Sequence, residues 1–215
     1  GEGRGGAGMS GGEAARQRVV PPRWRAAQGE KDFYVSEANR DAVTFLDGWA
    51  QWPIPAALLI GPAGSGKTHL AAIFARRSYA RLWDDADRTA SEEALFHAWN
   101  AAMEERRPLL MTARSAPTDW NLGLADLKSR LAATPRVFIR APDDALLEAV
   151  FLKQWRDRGI EAPADFTHYV LSRMERSFEG LQRTVDALDR AALAAQRPLS
   201  IPLAREVFVD LNLGG

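Results

Sequence analysis

The chain has 215 residues and 46% of them are hydrophobic, enough for one α/β domain and a small companion domain. Its 28 lysines and arginines balance 28 aspartates and glutamates, which argues against a strongly basic nucleic-acid-binding domain. The absence of cysteine excludes disulfides, thiolate metal sites and cysteine nucleophiles. Without a membrane-length apolar stretch or a signal-peptide pattern, we expect a soluble cytoplasmic protein.

The first 30 residues are predicted to form a flexible arm. Residues 1–12 are rich in glycine and carry no apolar pattern. Because the chain begins with glycine, we interpret residues 1–8 as a tag remnant and Met9 as the natural start. Pro21 and Pro22 then exclude a regular helix in the basic segment that follows, so the arm is expected to be extended.

Strands and helices alternate in the next part of the chain. Residues 56–60 form a short, fully apolar run before a glycine, which is typical of a buried parallel strand. Further strands are predicted at 79–83, 109–112 and 137–139, and helices at 37–49, 67–78, 91–107 and 122–131.

Only helices are predicted beyond Pro142, at residues 143–157, 164–174, 177–192 and 202–210. This order predicts an α/β domain over residues 31–141, with a parallel sheet flanked by helices. A small, all-helical lid domain is expected over residues 142–215.

The clearest motif lies between the first strand and its helix. Residues 61–68 read Gly-Pro-Ala-Gly-Ser-Gly-Lys-Thr, the pattern of a P-loop in the strand-to-helix context that this motif requires. Its backbone N–H groups and the helix N-terminus favour phosphate oxygens. Lys67 is predicted to reach the β- and γ-phosphates of a nucleotide, and Thr68 to ligate Mg²⁺.

An acidic pair follows the predicted strand at 79–83. A Mg²⁺-nucleotide site needs such a group at the end of a neighbouring strand. Asp84 is the candidate to hold the metal through water, and Asp85 the candidate to orient the attacking water. The alternative is an acidic turn on the surface.

Three arginines stand where phosphate chemistry could use them, because a planar, permanently charged fork suits phosphate. Arg114 follows the strand at 109–112, Arg130 ends the helix at 122–131, and Arg176 precedes the long lid helix. Since 26% of the chain is charged, any one arginine is more often a solvated surface residue than a nucleotide contact.

Taken in order, these motifs resemble the AAA+ family, and within it the bacterial replication initiator DnaA and its shorter relative Hda in the alphaproteobacterial form. The resemblance covers residues 31–210. It marks Asp84-Asp85 as the Walker B pair, Leu110–Arg114 as the sensor 1 strand, Arg130 as an arginine finger acting in trans and Arg176 as the sensor 2 arginine. The nucleotide contacts that it implies are Phe33, Val35 and Asn39 near the adenine, and Gly61, Gly64, Ser65, Gly66, Lys67, Thr68 and His69 in the Walker A segment.

The resemblance implies a regulator of DNA replication initiation. Such a protein binds ADP or ATP with Mg²⁺ and, together with the DNA sliding clamp, stimulates ATP hydrolysis by DnaA. It is expected to activate its partner's hydrolysis more than its own. A clamp-binding peptide is implied at residues 17–22, where a disordered arm is the alternative. No sequence-specific DNA binding is expected, because the 39 residues after Arg176 leave no room for a helix-turn-helix domain. Self-association is left open.

One feature departs from the family pattern. Only 16 residues lie between Lys67 and Asp84, where AAA+ domains normally place a further strand and helix. Either the protein lacks this unit or the sequence omits a segment there. Two other functions also stay open at this stage: an autonomous P-loop kinase, for which the pairs Arg76-Arg77 and Arg106-Arg107 are the basic candidates, and a helicase-loading or clamp-loader-like ATPase.

Overall fold

The computed structural model describes residues 35–213, with side chains described as far as Leu211. The predicted arm at 1–30, its peptide at 17–22 and the candidate Phe33 lie outside the described residues and stay predictions. Among the helices that the structure describes, none combines the length and the apolar character needed to cross a membrane.

The described part of the chain folds into a strand-and-helix layer followed by helices. The strands are β1 (Ala56–Ile60), β2 (Arg81–Trp83), β3 (Leu109–Ala113) and β4 (Arg136–Phe138). The helices are α1 (Arg40–Asp47), α2 (Lys67–Ser78), α3 (Glu92–Glu105), α4 (Ala125–Ala133), α5 (Asp144–Asp157), α6 (Ala164–Leu171), α7 (Phe178–Ala195) and α8 (Ile201–Leu213).

The four strands form one parallel sheet in the order β2-β3-β1-β4. Every residue of β1 and β3 is buried, which explains why both strands read as continuous apolar runs. One face of the sheet packs on α1 and α2, and the opposite face packs on α3 and α4. The predicted α/β class with a parallel sheet is therefore confirmed.

The helices after β4 build a core of their own. Its largest fully buried members are Phe151, Trp155 and Phe166. Predicted starts of two of these helices agree with the caps, because the side chains of Asp143 and Ser177 accept backbone hydrogen bonds from Leu146 and Gly180. The all-helical region predicted after the sheet is confirmed, although its boundary at residue 142 stays a prediction.

Several element ends differ from the predicted ones for local reasons. The helix predicted at 37–49 runs from Arg40 to Asp47, because the Asn39 carboxamide accepts the Ser36 N–H in a preceding turn. The helix predicted at 122–131 begins at Ala125. The Glu92 carboxylate accepts the N–H groups of Gly123 and Leu124, which holds this segment outside the helix.

The connection between α2 and β2 is only two residues long, Tyr79 and Ala80. Tyr79 adopts a left-handed conformation with φ of 58°, which ends the helix sharply. The strand at Arg81–Trp83 does form, and among the described residues it pairs with β3 alone. No strand-helix unit stands between α2 and β2 in this chain, and β2 is left at the edge of the sheet.

Candidate nucleotide site

The P-loop connects the buried end of β1 to the first turn of α2. In a parallel sheet, ligands bind beyond the carboxyl ends of the strands, at the point where the strand order reverses. Here β1 lies between β3 and β4, so residues 61–66 occupy that position. Gly64 and Gly66 have φ of 72° and 89°, in the left-handed region that favours glycine.

The loop is closely packed from outside. A Cβ on Gly61 would lie 2.4 Å from a side-chain carbon of Ile139 and 2.5 Å from its carbonyl oxygen. The Ser65 side chain is 3% exposed, and its Oγ is buried without a hydrogen-bond partner. A phosphate oxygen could accept the hydrogen bond that this hydroxyl lacks.

Lys67 is held in place beside the loop. It is 7% exposed, and its Nζ donates to the Pro62 carbonyl oxygen at 2.9 Å. Burial lowers the pKa of Lys67, and the positive charge of Arg114 lowers it further. Three nearby carboxylates oppose this shift, those of Asp85, Asp87 and Asp84. The ammonium is thus partly desolvated, and a bound phosphate would favour its charged form.

Three side chains from different elements meet at the predicted metal position. The Thr68 hydroxyl donates to the two carboxylate oxygens of Asp84 at 3.3 and 3.4 Å. Thr112, at the end of β3, donates to Asp84 Oδ1 and accepts the Asp85 N–H at 3.1 Å. The exposed Asp84 carboxylate is therefore oriented from both sides toward the start of α2.

Asp85 lies next to this pair with its carboxylate exposed and its backbone in the left-handed region, φ 51°. Its charge is the strongest of the carboxylates in favouring the charged form of Lys67. Asp87 follows with one oxygen accepting the Arg114 N–H at 3.2 Å and the other buried without a partner. The sequence-predicted acidic pair is brought to the P-loop, and the Asp84–Thr68 contact is the closest link.

The lid approaches the P-loop through the start of α7. The Phe178 N–H donates to the Gly64 carbonyl oxygen at 3.3 Å. A Cβ on Gly64 would lie 2.5 Å from the Ser177 Cβ, and one on Gly66 would lie 3.1 Å from the Phe178 ring. The lid therefore leaves no room for a Cβ on Gly64 and little room for one on Gly66, at two positions where the backbone conformation also favours glycine.

Arg176 stands one residue before this contact. Its side chain is 56% exposed, and its guanidinium forms an ion pair with the Asp144 carboxylate at the start of α5. The adjacent Glu175 accepts the Ser177 hydroxyl, which lowers the pKa of the Glu175 carboxyl, and Arg183 lowers it further. The backbone of the sensor candidate is thus close to the P-loop, while its guanidinium is paired with a carboxylate of the lid.

Arg130 lies in the last turn of α4, against α3 on the opposite side of the sheet from α1 and α2. Its Cζ is 5.1 Å from the centroid of the Phe96 ring and 5.0 Å from that of Trp99. None of the carboxylates in the part of the chain that the structure describes pairs with it. The finger candidate therefore keeps an uncompensated charge.

The predicted adenine segment is described only from Val35 onward. Val35 packs against the core under α1 and α2, and Asn39 is 3% exposed with its carboxamide turned to the Ser36 N–H. Arg140, after β4, donates to the carbonyl oxygens of Ala38 and Glu37, so this segment is tied to the end of β4. His69 is exposed on α2.

The residues present fit a phosphate group with Mg²⁺. The glycine conformations, the unpartnered Ser65 hydroxyl and the Lys67 ammonium suit phosphate oxygens. Among residues 35–213, no cluster of three histidine or carboxylate side chains could hold a metal unaided. The Thr68–Asp84 pair suits a Mg²⁺ ion that takes its remaining ligands from phosphate and water.

Some participants were missed by sequence reasoning. Thr112 carried a usable signal, because it is the one polar residue in the strand Leu109–Ala113. The aromatic partners of Arg130 fit the apolar face of α3, and nothing in the sequence connects them to α4. The same holds for the contact of Phe178 with the P-loop.

The basic pairs considered for a kinase lie far from the loop. Arg76-Arg77 stands at the end of α2, and the Arg77 guanidinium is 3.9 Å from Asp47. Arg107 follows α3 and donates to the Tyr79 carbonyl oxygen at 2.7 Å. Both pairs belong to the opposite end of the strands, so they do not form a cover over the P-loop.

Comparison with known proteins agrees with this architecture. Residues 144–208 match the family model described as the lid domain of Hda. The fold resembles the crystal structure of domain III of the Thermotoga maritima initiator DnaA, with a TM-score of 0.71 and 16% identity over 84% of this chain and 95% of that one. The helices after the sheet thus match the lid domain of Hda, and the described chain shares the fold of DnaA domain III.

Two other solved structures share this fold at similar sequence identity. AMPPCP-bound DnaA from Aquifex aeolicus matches with a TM-score of 0.59 and 16% identity, over 74% of this chain and 64% of that one. The Thermotoga maritima RuvB Holliday junction branch migration motor matches with a TM-score of 0.57 and 16% identity, over 73% and 62%. This chain thus covers less than two thirds of each of these two longer proteins.

Proposed function

We propose that this Hda-like protein binds a nucleotide and presents Arg130 to the ATP of the replication initiator DnaA, stimulating its hydrolysis. The observation that carries the proposal is the uncompensated guanidinium of Arg130 in a chain whose other arginines often pair with carboxylates, such as Arg81 with Glu105 at 2.7 Å. Positive charge of this kind stabilises the negative charge that develops on a γ-phosphate in the transition state. The Hda lid supports the choice of an initiator as partner.

The chain's own nucleotide, ADP or ATP, is proposed to bind along the P-loop. Gly61, Gly64, Ser65 and Gly66 would face the phosphates, while Val35, Asn39, His69 and Phe33 would line the side toward the base. Lys67 would neutralise phosphate charge, and Thr68 with Asp84 would hold Mg²⁺. The AMPPCP bound in the Aquifex aeolicus DnaA structure supports this placement by analogy of fold.

Nucleotide binding is proposed to act as a switch rather than as a turnover step. Arg176 would exchange its ion pair with Asp144 for a phosphate of the bound nucleotide. Because Phe178 already touches the P-loop, a movement of Arg176 would turn α7 and the lid with it. Asp85 would orient water for whatever slow hydrolysis the chain itself performs.

The DNA sliding clamp is proposed as the second partner, bound by residues 17–22. Such a peptide binds by inserting apolar side chains into a groove on its partner. Deleting residues 13–22 should abolish co-purification with the clamp and should leave nucleotide binding unchanged. Retention of clamp binding by the shortened chain would exclude this peptide as the contact.

The decisive assay combines ATP-bound initiator, clamp loaded on DNA and this protein. Arg130→Ala should lower the stimulated hydrolysis rate by about 10³-fold, the effect typical of a lost arginine finger. The matched control is Arg173→Ala, because Arg173 also lies on an aromatic ring, 3.8 Å from the centroid of Tyr169, but in the lid. Wild-type stimulation by Arg130→Ala would show that the finger assignment is wrong.

A further inference from the structure

The guanidinium of Arg130 rests on an aromatic shelf, which we define as the rings of Phe96 and Trp99 on α3. Both ring centroids lie within about 5 Å of the Arg130 Cζ, the range of a cation–π interaction. The Arg130 Nε is buried and has no hydrogen-bond partner. Contact with an incoming phosphate is therefore left to the two Nη nitrogens.

The Trp99 side of the shelf is fixed by hydrogen bonds that return to α4. Trp99 is 7% exposed, and its indole N–H donates to the Thr134 hydroxyl at 3.1 Å. That hydroxyl donates in turn to the backbone carbonyl oxygen of Arg130 at 2.8 Å. Trp99 and Arg130 are thus connected twice, by the contact of the guanidinium with the ring and by the hydrogen bonds through Thr134 to the Arg130 backbone.

A second connection keeps the two helices in register. The Glu92 carboxylate, in the first turn of α3, accepts the Leu124 N–H at 2.7 Å and the Gly123 N–H at 3.0 Å, just before α4 begins. Contacts at both ends of the α3–α4 pair therefore restrict sliding of one helix along the other. The shelf is consequently a fixed feature of the domain surface.

Aromatic rings hold an arginine without neutralising it. A carboxylate partner would cancel its charge and would have to be displaced before a phosphate could bind, whereas a ring face leaves the formal charge intact. Ordering a long side chain beforehand also reduces the entropy that is lost when it engages its target. The shelf supplies order and retains charge at the same time.

We propose that Phe96 and Trp99 are positioning residues for Arg130, holding its guanidinium extended along the α3–α4 surface for use on a partner's nucleotide. The inference rests on the proposed function and adds to it the residues on which the finger depends. Neither ring touches the partner's phosphate on this proposal. Both act through the orientation of Arg130.

Phe96→Leu is the primary test because it removes the ring and keeps an apolar side chain at a half-buried position. The maximal rate of stimulated initiator-ATP hydrolysis should fall about fivefold, and the concentration of this protein at half-maximal stimulation should stay the same. Phe96→Tyr should restore the rate, since it returns a ring face. Trp99→Phe, which keeps a ring but loses the Thr134 bond, should give a smaller loss.

An NMR readout tests the shelf without the partner. The buried Nε–H of Arg130 should exchange slowly with water, and the ring currents should shift the Arg130 Hδ signals upfield. Phe96→Leu should speed the exchange and reduce the shift, while thermal melting confirms that the variant is folded. Tyr169→Leu, which removes the ring beneath Arg173, is the matched control and should leave hydrolysis unchanged.

The outcomes separate the two proposals. Loss of stimulation in Arg130→Ala with a wild-type or higher maximal rate in Phe96→Leu would overturn the positioning role and keep the finger. Full stimulation by Arg130→Ala would overturn the proposed function and the positioning role with it. An unshifted, rapidly exchanging Arg130 signal in the wild-type protein would overturn the shelf itself.

Discussion

Two arginines of this protein lie in opposite electrostatic environments. Arg130, between α3 and α4, lies on aromatic rings and keeps its charge. Arg176, at the entrance to the lid, is 56% exposed and pairs with Asp144. The Arg130 side chain is held on rings without a carboxylate partner, while the Arg176 side chain is exposed and paired with a carboxylate.

The difference indicates how one side-chain chemistry can serve two tasks. A residue that acts on another molecule benefits from a fixed direction and an available charge. A residue that reports on its own chain's ligand needs an alternative partner, because a switch requires two states of similar free energy. An exposed ion pair, worth about 0–1 kcal/mol, is weak enough to be such a partner.

The largest effect on stability is expected at the contact between the lid and the P-loop. Gly64→Ala should lower the free energy of unfolding by about 3 kcal/mol, because Ala is strained at φ of 72° and its Cβ would overlap Ser177. Gly159→Ala is the control, since Gly159 has φ of 73° and nothing within 4 Å of the added carbon. Chemical denaturation of both variants separates strain from overlap, and equal losses would contradict the close lid contact.

A smaller effect, on nucleotide affinity, is expected from removing the carboxylate partner of Arg176. Asp144→Asn should raise nucleotide affinity about threefold at low salt, because Arg176 would no longer have to leave an ion pair, and the gain should shrink at high salt. Glu206→Gln breaks the Arg197–Glu206 pair, 3.0 Å long and elsewhere in the lid, and should leave the affinity unchanged. Calorimetry at two salt concentrations measures both, and a lowered affinity in Asp144→Asn would refute the exchange of partners.

The smallest effect is expected on the acid stability of the α3–α4 region, which holds Arg130. Hydrogen bonds from the Gly123 and Leu124 N–H groups lower the pKa of the Glu92 carboxyl below its ordinary value of 4.5. The stabilisation by Glu92 is therefore fully present above about pH 4.5 and is lost as the pH falls through the lowered folded pKa.

Melting temperatures of wild type and Glu92→Gln should accordingly differ at pH 6 and converge toward pH 3. Glu93→Gln removes a carboxylate from the same turn of α3 and is the matched control. A gap between wild type and Glu92→Gln that widens on acidification would contradict the assigned role of the carboxylate.

Local rules were sufficient for much of the fold. Neighbouring residues alone predicted the helix starts near residues 91, 143 and 177 and the apolar strands at 56–60 and 109–112, and all of these elements form. The boundaries of α1 and α4 could not be predicted in this way. Each start is set by a side chain that accepts a backbone N–H group, Asn39 from Ser36 before α1 and the distant Glu92 from Leu124 before α4.

The candidate site divides in the same way. A continuous motif marked Gly61 to Thr68, because its function requires residues at fixed spacing on one turn of chain. The partners of Asp84 could not be predicted, since the Thr112 hydroxyl reaches it from a strand 28 residues further on.

The sequence by itself determined the P-loop, the order of strands and helices and the candidate arginines, because each depends on residues close together in the chain. Only the tertiary structure decided that Arg130 lies on Phe96 and Trp99, that Arg176 faces Asp144, and that Phe178 touches Gly64. The residues in each of these contacts are more than 30 positions apart in the chain. The packing of layers creates them, and with them the difference between a charge that is available and one that is neutralised.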